Sequence, residues 1–542
     1  LILSATTLGA DNTFVYAVQI SAVVQLSPPR IRLSWEPDPY GARSYTVFRK
    51  GRTANSWSGG TVLPGSAAGY TDANVVVGGN YEYQVVKAGP GYTGYGYIYA
   101  GINAPLREGR GKLILIVANT HAAALAPELA RLKSDLIGDG WQVIRHDVSP
   151  VDSPARVKNL IVADYRTDPT RVQAVFLFGH VPIRRCGTLE YDGHGARPMP
   201  ADTFYGDVNG NWSANPSYLP SNVELMVGRV DFANMSYPEV DLLRNYLNKD
   251  HAWRHKLFTV PRRGLMGNRA GDEGGLASAA SGYRNFTPLV GPGAIIEANV
   301  QDDAPPDQRW IAFLASGAYL WAYGSGGGGA TSMSQLGTHG LYNDVWTSDI
   351  VEQDAHAVFS MLYGSHLGEW DVPDNIMRAM LATSIGLTAS MGGKPHWFYH
   401  HMGLGDPIGF SARVTMNNGT LYKSQQNPFR RGVHIALLGD PTLRLDMVAP
   451  APDLFAVRSA RNVVLTWSPS SEPVAGYHIY RANTPAAPFA RITPRLLTAT
   501  KFTDLGRVQP GTYMVRAVKL QLTPGGTYWN ASQGVFASVK GL

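Results

Sequence analysis

A chain of 542 residues is long for one ordinary domain and implies three or four folded units with ample buried core. A single cysteine, Cys186, excludes an intrachain disulfide framework and a thiolate-rich metal site. The formal charge of +6 comes from scattered Lys and Arg, with only short pairs such as Arg184-Arg185, Arg262-Arg263 and Arg430-Arg431, a solvated surface rather than a nucleic-acid-binding stripe. No uncharged apolar run reaches membrane-spanning length. With only 16% charged residues and abundant Gly, Tyr and Trp, the composition suits a loop-rich, secreted or cell-surface protein better than a cytosolic one.

Residues 1–15, opening Leu1-Ile-Leu-Ser-Ala-Thr-Thr-Leu-Gly-Ala10, read either as a secretory signal remnant or as a first strand. Over 16–106 short alternating runs broken by turns, Ile31–Trp35, Ser44–Phe48 and Tyr81–Val86, predict an all-β sandwich. The same order of Trp, Tyr and turn residues returns over 449–542 as Val463–Trp467, Gly476–Tyr480 and Gly511–Arg516. Both segments resemble fibronectin type III domains, immunoglobulin-like sandwiches that are usually spacers, docking modules or carbohydrate-facing accessories, none of which the fold alone selects.

Between them the period changes. Gly111–Ala118 is a near-continuous apolar run, Ala123–Ile137 has helical spacing, Gln142-Val-Ile is a strand, a helix follows around 154–165, and Ala174–Phe178 is another strand. That alternation predicts parallel β-α-β units, an α/β domain with a mainly parallel sheet. Its first half spans 107–255 and its second half, with the candidate site, 256–448. In the second half Ala318–Tyr323 opens into Gly324-Ser325-Gly326-Gly-Gly-Gly329, and Ala357–Leu362 into Tyr363-Gly-Ser-His366. If those strands are neighbours, the two polar loops lie side by side at a sheet edge, where such sheets bind ligands.

The order of Phe176-Leu-Phe-Gly-His180, Asp192-Gly-His194-Gly195, Ala201–Asp207, Val227-Gly-Arg-Val230, the two strand-loop units and Leu438-Gly-Asp-Pro-Thr442 is similar to that of the gingipain-like cysteine peptidases, which have a caspase-like α/β fold. In that family one strand ends in Gly-His-Gly, the His being the base, and a neighbouring strand ends in the nucleophilic Cys. Here the corresponding stretches read Gly324-Ser325-Gly326 and Leu362-Tyr363-Gly364-Ser365, so the resemblance implies the fold without the family's catalytic pair. Cys186 lies in a different loop.

Three functions stay open on these residues. One is a binding module for a peptide, a glycan or another cell-envelope component. The second is a divergent hydrolase with Ser325 or Ser365 as nucleophile and His366 or His339 as base, since a serine needs an adjacent imidazole to lose its proton. The third is a structural component of an extracellular matrix or surface layer.

Other residues offer ligand contacts. His180, Asp192, His194 and Tyr363 fall at strand ends or turns, and Glu369-Trp370-Asp371 sets two carboxylates beside an aromatic, as in glycoside-processing sites. His396 and His400 have the i,i+4 spacing that would put two imidazoles on one helix face, beside Trp397. Asp202, Asp207, Asn209 and Asn211 resemble part of a calcium loop, which makes structural calcium an expectation although no cofactor is required.

Overall fold

The computed structural model describes residues 12–271, 275–507 and 509–540. The signal or first-strand reading of the N-terminus falls mostly outside them, and its last residues form a 3-10 turn, Asn12–Tyr16.

The central unit is built on one ten-stranded sheet: β1 (Gly111–Ala118), β2 (Trp141–Val148), β3 (Val172–Phe178), β4 (Met226–Val230), β5 (Gly264–Asn268), β6 (Ile295–Glu297), β7 (Tyr319–Ser325), β8 (Ala357–Tyr363), β9 (Thr388–Met391) and β10 (Leu437–Gly439). Their order is β6-β5-β7-β8-β9-β10-β4-β3-β1-β2. Neighbours within β2-β1-β3-β4 are parallel, as are those within β6-β5-β7-β8-β9. The short β10 joins the two runs, antiparallel to β9 and opposite Arg229 of β4. Continuous apolar runs form these strands because both faces are covered: Leu113 to Val117 and Val172 to Phe178 are almost wholly buried. Helices α1 (Ala126–Gly138), α2 (Pro154–Thr167), α3 (Glu239–Arg254) and α4 (Ala280–Val290) are among those that supply the cover. Among the described residues no helix is long and apolar enough to cross a membrane.

Each flanking segment forms antiparallel strands around its own core, with Trp35 against Tyr45 in the first and Trp467 against Tyr477 in the second. In space the two segments also meet each other. Strand 93–104 of the first pairs in parallel with strand 526–531 of the second, Gly526 opposite Gly101 and Tyr528 opposite Ala104, so one nine-stranded sheet runs through both.

Buried carboxylates fasten these sandwiches to the α/β unit. Asp139, at the end of α1, is fully buried and faces Arg110 at 3.2 Å, Arg444 at 2.9 Å and Arg516 of the C-terminal sandwich at 3.5 Å. Burial alone would raise its pKa, yet the arginines outweigh it and bring the carboxyl down from 3.8 to about 2. On the N-terminal side Asp406 takes Arg52 at 2.7 Å and also Arg107. Glu82 takes Lys50, His400 at 2.7 Å and His401 at 3.2 Å.

A depressed carboxyl stabilises the fold above its unfolded pKa, and that stabilisation is lost as pH falls from about 4 toward 2, an effect of roughly 2 kcal/mol for a shift of this size. Asp139→Asn should cost about 3–5 kcal/mol by leaving buried arginines uncompensated. The measurement is the unfolding midpoint between pH 6 and pH 2: the variant should start lower and lose less on acidification, whereas parallel curves would contradict the assignment.

Candidate functional site at the strand ends

β7 and β8 are neighbours, with Ser325 opposite Tyr363, so the two polar loops do begin side by side. Gly326 N–H donates to the Tyr363 carbonyl at 3.1 Å, and a Cβ on Gly364 would stand 2.7 Å from the Gly326 carbonyl oxygen, so that close approach requires glycine. Neither residue at this paired position presents a reactive group to solvent. Ser325 is 0% exposed and donates to Asn268 Oδ1 at 2.7 Å. Tyr363 is 4% exposed, pressed against Gly393 and beneath Lys394.

Past Tyr363 the chain rises into a polar rim. Its foundation is Arg229 of β4, fully buried, which donates to both Asp202 oxygens at 2.8 and 2.9 Å and to the Val181 carbonyl at 2.7 Å. The ring of Trp370 lies 4.9 Å from this guanidinium. Trp370 is therefore a core anchor for segment 365–371, with 0% exposure, and not a ligand-facing wall. Tyr191 pins the same segment from the other side, its hydroxyl accepting the Gly368 N–H at 3.0 Å.

The rim forms where loop 191–197 meets segment 365–371. Arg197 donates to Asp192 at 2.7 Å, to Glu369 at 2.7 Å and to the Gly195 carbonyl at 2.8 Å, and the nitrogen that reaches Asp192 also lies 3.0 Å from His366 Nδ1. Arg185 donates to both oxygens of Asp371, at 2.7 and 2.6 Å, and to Glu369 at 3.2 Å. Glu369 and Asp371 are thus bridged by arginine, which does not suit the free acid and base of a glycosidase pair. Asp192 also accepts the backbone N–H groups of His366 at 2.8 Å and His194 at 3.2 Å. Burial would raise its pKa, but these donors and Arg197 prevail and lower it to about 2.

Ser365 does not pair with His366, its neighbour in sequence. His366, at φ +60°, turns its ring toward Glu369, 3.0 Å from Nδ1, and stacks at 4.8 Å on the ring of His194. Ser365 Oγ lies 2.8 Å from His194 Nε2 instead, bringing together residues 171 positions apart. His194 is exposed and Ser365 half-buried. With Nε2 unprotonated, the imidazole accepts the serine proton, so the pair can act as nucleophile and base. The described contacts place Asp192 on the backbone of His194 rather than on its ring.

The remaining candidates lie elsewhere. His339 is 2.6 Å from Asp349 and stacks on Trp346, with no described contact to either serine. Sequence reasoning passed over Trp346, the ring on which His339 stacks, which is 46% exposed. His180 bonds Asp231 at 3.0 Å, an interaction that raises its pKa, and makes no described contact with the rim. The helix that the His396 and His400 spacing would need does not form: 392–399 is irregular and His400–Leu404 is a 3-10 turn. His396 and Trp397 are buried inside the fold, and burial first, with Arg284 nearby, drives the His396 pKa down to about 3. His400 faces Glu82 of the first sandwich.

In the expected calcium loop, Asp202 is committed to Arg229. Asp207 accepts from Gly210 at 2.7 Å, Ser221 at 2.6 Å and Trp212 at 3.2 Å. Asn209 donates to Glu224, and Asn211 caps Ser213. These oxygens are occupied by protein donors in an Asx-type turn. Cys186 is buried in strand Arg185–Leu189, and burial raises its pKa, only partly offset by Arg184, which disfavours the nucleophilic thiolate.

No family model matches the chain, and no curated protein matches it. Among solved structures it is similar to the Arg-specific cysteine proteinase gingipain R, with 13% identity, 81% of this chain and 99% of that chain covered, and a TM-score of 0.45. It is also similar to the complex of Porphyromonas gingivalis RgpB pro- and mature domains, with 13% identity, 79% and 100% covered, and a TM-score of 0.41. Over 14% of this chain and 76% of the other it is similar to an Fn3-like protein from Clostridium thermocellum, at 29% identity and a TM-score of 0.12. Likenesses this distant assign no role to any residue, and every role given to this chain comes from its topology and contacts.

Arg197→Met should leave the fold intact and free loop 191–197. Amide hydrogen exchange should then rise at His194 and His366, whose N–H groups rest on the Asp192 that Arg197 orients. Unchanged exchange would mean that the rim is held by other contacts.

Proposed function

We propose that the α/β unit is a binding module without cysteine-peptidase chemistry, and that the rim around Arg185, Asp192, His194, Arg197, His366 and Glu369 receives a polar partner. The observation that carries this reading is the burial of both residues at the paired strand ends, Ser325 and Tyr363. A peptide fits the rim better than a glycan does. The rim offers guanidinium, carboxylate and imidazole groups in hydrogen-bonding positions, while Trp370 and Trp397 are buried and give a sugar ring no face to stack on. An extracellular setting is part of the proposal, on the low charged fraction and loop-rich composition.

One observation favours a second reading, the 2.8 Å contact between Ser365 and His194. In a hydrolase, His194 Nε2 would take the serine proton as Oγ attacks a carbonyl, and would return it to the leaving group as the acyl-serine forms. Water would then release the acyl group by the same proton path.

Two assays separate the readings. Panning of a random-peptide library on the intact chain should select binders, and Arg197→Ala should weaken them about tenfold or more, equivalent to roughly 1.4 kcal/mol. Failure to select any, or equal binding by the variant, would count against the module. A fluorophosphonate probe should leave Ser365 unlabelled; labelling at Ser365 that disappears in His194→Ala would establish the hydrolase instead.

A further inference from the structure

Away from the rim, helices α1 and α3 bring three metal-ligating side chains to one point. His251 sits in the last turn of α3 and His255 caps it, its N–H donating to the His251 carbonyl at 3.0 Å, so the two imidazoles share one helix face at i,i+4. Asp135 of α1 stands opposite them, one oxygen 2.7 Å from His251 Nδ1 and the other 2.7 Å from His255 Nε2. The ring centroids are 4.2 Å apart, and the three ligand atoms lie within 4.8 Å of one another.

We propose that Asp135, His251 and His255 form a binding site for a divalent transition-metal ion of the zinc class. Two imidazole nitrogens and one carboxylate oxygen are the donor set that zinc prefers, whereas calcium and magnesium require oxygen-rich shells. Bonds of about 2.0–2.1 Å to each donor set tetrahedral ligand atoms about 3.3 Å apart, so an ion enters as the imidazoles give up their 2.7 Å hydrogen bonds and part from the carboxylate by about half an ångström. Access is open, because the imidazoles are 23% and 19% exposed while Asp135 is buried beneath them.

The surroundings leave room for a cation. The described partners of the Asp135 carboxylate are the two imidazoles, and the nearby Arg254 is turned to Asp250 at 3.1 Å and Asp440 at 2.6 Å. The other grouping of this kind, Glu82 with His400 and His401, differs on this point. Lys50 occupies it, with its ammonium on Glu82 and over the rings of Trp57 and Tyr422, so that cluster already holds its positive charge.

The location indicates a structural clamp. Helix α1 ends where β2 begins, and α3 runs back from the end of β4, so the cluster lies toward the starts of those strands, whereas the rim follows strand ends. The C-terminal sandwich docks beside it: Gly534 N–H donates to the Gly138 carbonyl at 3.0 Å. A bound ion with three protein ligands and water would pin the ends of α1 and α3 next to that junction.

The test uses the full chain, stripped of metal and titrated with Zn2+ by calorimetry, with Co2+ absorption reporting imidazole ligation. One saturable equivalent is expected, accompanied by a higher unfolding midpoint. His255→Gln, a change at a partly exposed position, and Asp135→Asn should each weaken binding at least tenfold. His146→Gln, which removes a solitary His–Asp pair, should leave it unchanged. Circular dichroism confirms that each variant is folded. Absence of saturable uptake, or equal uptake by folded His255→Gln, overturns the site.

Discussion

A carboxylate that is buried must be met by cations, and in this chain that requirement decides how the parts fit together. Asp139 is met by arginines from three separate segments, Arg110, Arg444 and Arg516, the last in the C-terminal sandwich. On the N-terminal side Asp406 is met by Arg52 and Arg107, and Glu82 by Lys50 of its own sandwich and by His400 and His401 of the α/β unit. None of these charges could be left unpaired without a large penalty, so the sandwiches are held against the α/β unit rather than tethered to it. Their shared sheet, closed by the pairing of strands 93–104 and 526–531, adds backbone hydrogen bonds to the same arrangement.

The same rule shapes the candidate site. Arg229 is neutralised by Asp202 and in turn supports Trp370, and above it Arg197 and Arg185 collect Asp192, Glu369 and Asp371. The rim is a network of satisfied charges, a geometry suited to exchanging internal partners for those of a ligand. At the paired strand ends Ser325 and Tyr363 fill space within the fold, and the only thiol is buried in another strand. The contact of Ser365 with His194 arises from a crossing of loops rather than from the strand ends.

The strands were legible where burial on both faces leaves a continuous apolar run, as in Leu113 to Val117, and the repeated order of Trp and Tyr marked both sandwiches. The adjacency of the two polar loops was conditional on their strands being neighbours, which the sequence left open and the pairing of β7 with β8 supplies. The pairing of strands 93–104 and 526–531 was not legible, because alternation specifies a strand but not its neighbour. His194 could be named as a polar turn residue, but its contact with Ser365 depends on how a long loop crosses the sheet, which no local spacing records. The i,i+4 spacing of His396 and His400, beside Pro395, has no helix to carry it, and the same spacing went unused at His251 and His255, where a helix does. Trp370 and Trp397 allow a stacking face or a packed role in the sequence, and their burial settles the packed role.

Whether the α/β unit retains any cysteine-peptidase chemistry is tested most directly by incubating the purified chain with a denatured protein mixture and mapping new peptide termini by mass spectrometry, with and without iodoacetamide. Burial of Ser325, Tyr363 and Cys186 predicts that no cleavage sensitive to the alkylating agent will be found. New termini that vanish on alkylation would contradict it, since they would require a reactive thiol where this fold holds only a buried one.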